Sequence, residues 1–169
     1  MEKKRGSTLA ELVIVMAVVS VMSVMVVSFS ILCNGWVKIG IQRYRLAQDQ
    51  RTISNVLHEY VEALDSDEYY FSNFNGKELA VRSHSDISLA YNLTYDSENG
   101  VIHCVMPDKE ATYPVDHISF LSFYIRNAGN EGKQLICCTV HYILPAVNGQ
   151  KEELVGTFDI VIATRSAGI

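Results

Sequence analysis

The run "LVIVMAVVSVMSVMVVSFSILC", residues 12–33, constrains this chain more than any other stretch. It holds 22 residues without a charge, a proline or a glycine. A helix rises ~1.5 Å per residue, so the run would span roughly 33 Å, enough for a hydrocarbon core of about 30 Å. The apolar core of a secretory signal is shorter, about 7 to 15 residues. The run therefore predicts a single bilayer-crossing helix. Lys3, Lys4 and Arg5 precede it. By the positive-inside rule the short N-terminus stays cytoplasmic and the remainder is exported. With 169 residues and 49% apolar side chains, the chain has room for one domain besides this helix.

The charge balance narrows the partners. Net charge is −5, and the part from Ser7 onward carries 11 basic and 18 acidic side chains, a net −7. An acidic exported domain is a poor match to a nucleic-acid backbone, so no direct nucleic-acid binding is expected. Export permits disulfides. Of the four cysteines, Cys33 closes the apolar run as an inert boundary thiol. Cys104 can pair with Cys137 or Cys138 if their strands are close, but with only one of them, because adjacent residues point to opposite faces of a strand. Three buried free thiols are the simpler alternative.

Beyond Cys33 a helical pattern continues. Leu46, Ile53, Val56, Leu57, Tyr60, Val61 and Leu64 recur at helical spacing with polar residues between them, which predicts an amphipathic helix with one buried stripe. Asn34, Gly35 and Gly40 are positions where it can bend. "DSDEYYFSNFNGK" then breaks the pattern with turn formers. The rest reads as strands: "ELAVRS", "ISLAYNLTY" and "VIHCVM" joined at Asn99-Gly100, then "HISFLSFYIR", "QLICCTVHYIL" and "ELVGTFDIVIAT" as an antiparallel meander. Alternation places Ile136, Cys138, Val140, Tyr142 and Leu144 on one face, and Leu154, Phe158, Ile160 and Ile162 on another. The expected fold is α+β, a long N-terminal helix with a membrane half and an amphipathic half, packed on an antiparallel β-sheet.

One acid, Glu11, stands at the mouth of the apolar run. A basic stretch ends in Gly6, followed by Ser7, Thr8, Leu9, Ala10 and Glu11. This resembles the prepilin leader of type IV pilins and pseudopilins: a short basic leader, Gly, a hydroxyl residue, Leu, Glu as the fifth residue after the Gly, then the membrane helix. The expected layout of helix and sheet is pilin-like as well. The resemblance implies residues 1–6 as leader, 7–33 as transmembrane and filament-core helix, 34–66 as its amphipathic continuation and 67–169 as the extracytoplasmic sheet domain. It implies cleavage between Gly6 and Ser7 by a prepilin peptidase and methyltransferase, N-methylation of Ser7, and a role for Glu11 in setting subunit register. The implied partners are that peptidase, other pilin or pseudopilin subunits and the lipid bilayer. Two features depart from major pilins. Ser7 stands where an aromatic residue is usual, and no proline precedes Pro107. Both fit a minor pilin or pseudopilin, of a pilus or of a secretion or competence system. Ser20, Ser23, Ser28 and Ser30 dot the membrane helix and can bond to it or to a neighbour.

Enzymatic signals are missing from the pattern. No nucleotide loop or serine elbow occurs. His103-Cys104 and Cys137-Cys138 diverge on strands, and Cys137 and His141 would lie about 13 Å apart, too far to share a zinc ion. "DSENG" lacks the bidentate acid of a calcium loop, since its twelfth position is Pro107. No catalytic residue, cofactor or metal is expected, and the role is structural. The alternative is a signal-anchored extracytoplasmic binding or enzymatic domain in which Glu11 is incidental. A lipoprotein is disfavoured because Leu32 precedes Cys33, where that cleavage wants a small side chain.

Overall fold

The structure, a computed structural model, describes residues 9–66, 68–74, 76–86, 90–128, 133–146 and 153–167. The chain divides into two compact units, Met1–Ile41 and Gln42–Ile169. One helix, α1 (Leu9–Leu64), contributes to both and remains helical through Asn34, Gly35 and Gly40. Its apolar stretch is long and apolar enough to cross a membrane by length and composition, and none of that stretch is buried.

The second unit is α+β, with its part of α1 packed against antiparallel sheets. This agrees with a pilin-like fold, with one correction: there are two sheets. The larger has the order β1 (Tyr69–Phe74), β2 (Glu78–Ser83), β3 (Ala90–Asp96), β4 (Val101–Met106), β5 (Lys109–Pro114). The smaller is the expected meander, β6 (Ile118–Ala128), β7 (Lys133–Leu144), β8 (Leu154–Ala167). Every neighbouring pair is antiparallel. The sheets meet where Phe123 N donates to Gly76 O at 2.8 Å, which engages a backbone group at the β6 edge.

The buried stripe of α1 is Ile53, Val56, Leu57, Tyr60, Val61 and Leu64. It joins a single core with Leu79, Val81, Leu93, Ile102 and Cys104 of the larger sheet and Leu121, Phe123, Ile136, Cys138 and Val140 of the smaller. Tyr60 is fully buried and its hydroxyl donates to Leu79 O at 3.1 Å. That bond satisfies the phenol oxygen that Tyr60 carries into the core, and burial raises the phenol's pKa.

Two strands depart from the sequence reading. β1 forms inside the stretch expected to be a turn, because Tyr69, Tyr70 and Phe71 outweigh the Ser and Asn around them. Phe71 is buried, and the Tyr69 ring meets Tyr91 edge-on at 5.8 Å. β5, "KEATYP", was not expected at all; it is an exposed edge strand with little apolar content. The Asn99-Gly100 hairpin forms as expected. Gly100 adopts φ +64°, and its carbonyl accepts Val115 N at 2.8 Å.

Candidate functional site

The first unit presents apolar surface almost without interruption. From Leu12 to Leu32 its large apolar side chains are 52–68% exposed. Single soluble domains rarely expose contiguous apolar patches larger than a few hundred Å². Three of the serines of this stretch spend their hydroxyls within the helix. Ser20 Oγ donates to Met16 O, Ser23 Oγ to Val19 O and Ser30 Oγ to Val26 O, each at 2.8 Å. Three of the four serines thus bond within their own helix. Between residues 9 and 37 Glu11 is the only charged side chain, and it stands exposed in the first described turn. Gly6, Ser7, Lys3, Lys4 and Arg5 lie outside the described residues.

The second unit holds a polar fastening that the sequence reading missed. Asp49, 8% exposed, lies on the sheet-facing side of α1. Its Oδ2 accepts two bonds from one residue, His117 Nδ1 at 3.0 Å and His117 N at 3.2 Å. His117 O in turn accepts Ile143 N at 3.0 Å. Gln42 Nε2 donates to Pro145 O at 3.1 Å, and the Tyr95 hydroxyl donates to Ile118 O. The Asp49 and Gln42 bonds hold the start of this unit's helix to the β5–β6 connection and to the residue after β7, and the Tyr95 bond ties β3 to β6. Asp49 and His117 form an acid–imidazole pair with side chains only 12% and 10% exposed. The pair ties α1 to the connection before β6.

The remaining candidates resolve as structural. All four cysteines are free thiols. The possible Cys104 bridge to Cys137 or Cys138 is not formed, and Cys104 and Cys138 lie in the shared core as buried thiols. Burial pushes the Cys104 thiol up to about 11 and the Cys138 thiol up to about 12, so both stay protonated near neutral pH and are poor nucleophiles. The acid of "DSENG" is consumed by its own turn. Asp96 accepts from Asn99 Nδ2 at 2.6 Å, Glu98 N at 2.9 Å and Asn99 N at 3.3 Å, which hold its carboxyl below the usual range. His103 Nδ1 meets Thr112 Oγ1 at 3.2 Å across β4 and β5. Among the described residues no cluster of three His, Cys, Asp or Glu side chains is arranged to hold a metal.

A small cleft lies between α1 and the β4–β5 turn, lined by Glu59, Ala63, Met106, Pro107, Asp108 and Lys109. Lys109 Nζ binds Glu59 Oε1 at 2.9 Å and sits 5.8 Å from the Tyr113 ring centre. The acid and base at its rim satisfy each other. Comparison with protein-family models, with curated proteins and with solved structures finds no match to this chain. Its functional reading rests on its own residues.

Proposed function

We propose that this chain is a minor pilin- or pseudopilin-type subunit of a type IV filament or of a secretion or competence pseudopilus. In this reading a prepilin peptidase cuts between Gly6 and Ser7 on the cytoplasmic face and methylates the new amine of Ser7. The subunit waits in the cytoplasmic membrane with its C-terminal domain outside, then enters a filament. Its role is structural, and its partners are the peptidase, other pilin-like subunits and lipid.

The observation that carries the reading is a fully exposed apolar helix with one charge, Glu11, near its start. An acid in hydrocarbon is costly, about 2.5–3.5 kcal/mol for Asp at a helix centre on insertion scales. Cleavage after Gly6 removes Lys3, Lys4 and Arg5 and creates a cationic amine at Ser7. The amine of a neighbouring subunit can offset the Glu11 carboxylate where the two helices are staggered correctly, and only there. The helix faces then supply the filament core by packing. Ser20, Ser23 and Ser30 support this, because their hydroxyls bond within their own helix and so let apolar faces meet.

The test is the mature N-terminus. N-terminal mass spectrometry of the chain from its native membrane is expected to give methylated Ser7, and Gly6 replaced by a bulkier residue is expected to retain the leader. A chain beginning near Ile31, or an uncut chain in cells that possess the peptidase, would establish the signal-peptide or signal-anchor alternative instead.

A further inference from the structure

The strand β8 ends the smaller sheet, and among the described residues β7 is its only strand partner. Against β7 its register runs unbroken from Leu135↔Ala163 to Leu144↔Leu154. A long regular edge invites another strand, and proteins usually blunt such edges with lysine, proline, bulges or a covering element. The other edges have such protection or are short. β5 carries Lys109, Glu110 and Pro114, and β1 has 6 residues. β6 is bulged between Ile118 and Phe120, and its Phe123 N is engaged by Gly76 O. Among the described residues β8 is held at its far end, where the Asp65 carboxylate accepts Arg165 N and Glu62 Oε1 accepts Arg165 Nη2 at 3.2 Å. From 154 to 163 it has no Lys, Arg or Pro. Its one charge there, Asp159, accepts Thr139 Oγ1 at 2.6 Å. Leu154, Val155 and Val161 are 57%, 64% and 56% exposed.

The sequence of this open edge names its occupant. In "LVGTFDIVI", residues 154–162, Leu154 mirrors Ile162, Val155 mirrors Val161 and the polar Thr157 mirrors Asp159 about Phe158, while Gly156 mirrors the larger Ile160. We infer that β8 pairs antiparallel with β8 of a second copy of this chain, about a two-fold axis at Phe158. Val155 then faces Val161 of the second copy, Leu154 faces Ile162, Thr157 faces Asp159, and the two Phe158 side chains face each other. The two most exposed valines of the strand cover one another, and each Asp159 meets a hydroxyl. Centring the axis on Asp159 would oppose two carboxylates directly. Centring it on Thr157 or Ile160 would set Asp159 opposite a valine. Cross-strand pairs of matched character are what stabilise an antiparallel ladder. The unit Gln42–Ile169 carries 10 basic and 17 acidic side chains, so two copies repel, and added salt favours the pair by screening. This goes beyond the filament reading. A two-fold contact closes on itself and joins two subunits, whereas filament growth needs a contact that repeats.

The test uses two differently tagged full-length chains, one Val155→Cys and the other Val161→Cys, co-expressed and oxidised gently in detergent extract. Directly opposed strand residues lie about 4.5–5.5 Å apart at Cα, within disulfide range. A disulfide between the two tagged chains is expected. Neither variant alone is expected to cross-link, because the two-fold separates like positions by six residues, about 20 Å. In the wild-type sequence, Val161→Lys at this exposed site is expected to abolish the dimer in sedimentation, while the tyrosine near-UV spectrum is unchanged. Absence of the mixed disulfide, equal cross-linking of like positions, disulfide capture of a different protein, or a dimer that survives Val161→Lys would each overturn the inference. The N-terminus at Ser7 is measured separately, so this contact can fail while the maturation reading stands.

Discussion

Asp49 breaks the apolar stripe at a position the helix faces inward, and it is tolerated because His117 supplies two donors to one carboxylate oxygen. Truncation would orphan the backbone and ring N–H groups of a residue whose side chain is only 10% exposed. Unsatisfied buried donors cost about 1–3 kcal/mol each. Asp49→Ala is therefore expected to destabilise the second unit by about 2 kcal/mol or more. Denaturation of the detergent-solubilised chain, followed through tyrosine near-UV circular dichroism, measures it. Trp36, the sole tryptophan, reports on the first unit and is the wrong probe. An effect within the ~0.5 kcal/mol of an ordinary surface change would contradict the fastening. Half of this site was legible in advance: the spacing Leu46, Asp49, Ile53, Leu57 sets Asp49 on the buried stripe. Its partner is 68 residues away on a connection with no local signature, so the pair itself was not. The reverse holds for the thiols. Residue type alone left a Cys104 bridge open beside the simpler reading of buried free thiols, and the cysteines are free.

At the scale of elements, periodicity carried the reading wherever packing and pattern agreed. The stripe Ile53, Leu57, Tyr60, Leu64 is buried as its spacing implies, and the β6–β7–β8 meander follows its apolar alternation. β1 escaped because its neighbours Asp, Ser, Asn and Gly spell a turn, while aromatic packing decides its conformation. β5 escaped because an edge strand of a half-covered sheet needs few apolar residues. The split into two sheets was equally hidden, since alternation gives faces and not which strands share a ladder. The central packing claim is testable at Leu57, which is 1% exposed. Leu57→Ala is expected to cost about 2–5 kcal/mol, as truncations at well-packed sites do. A loss below roughly 0.5 kcal/mol in the same denaturation experiment would mean that α1 does not close the core of this unit.

For the molecule as a whole, the decisive question is what covers the apolar helix of the first unit. Lipid alone accounts for its length and for the exposure of residues such as Val24, Met25 and Phe29. Lipid alone would leave the Glu11 carboxylate at the headgroup level, where a glutamine would serve as well. In the proposed filament a neighbouring subunit's amine pairs with it, and the two accounts part company on one substitution. In Glu11→Gln a charge leaves the apolar stretch, so membrane insertion is expected to be intact or easier. In the proposed filament the neighbour's amine would then be left buried without its partner. Removing one member of a buried pair typically costs ~3–5 kcal/mol, more than about a hundredfold in association. The measurement is the amount of Glu11→Gln chain in sheared filaments, or in co-purified pilin complexes, relative to the amount in the membrane fraction. The account predicts wild-type membrane levels with incorporation reduced at least about a hundredfold; incorporation at the wild-type level would contradict it.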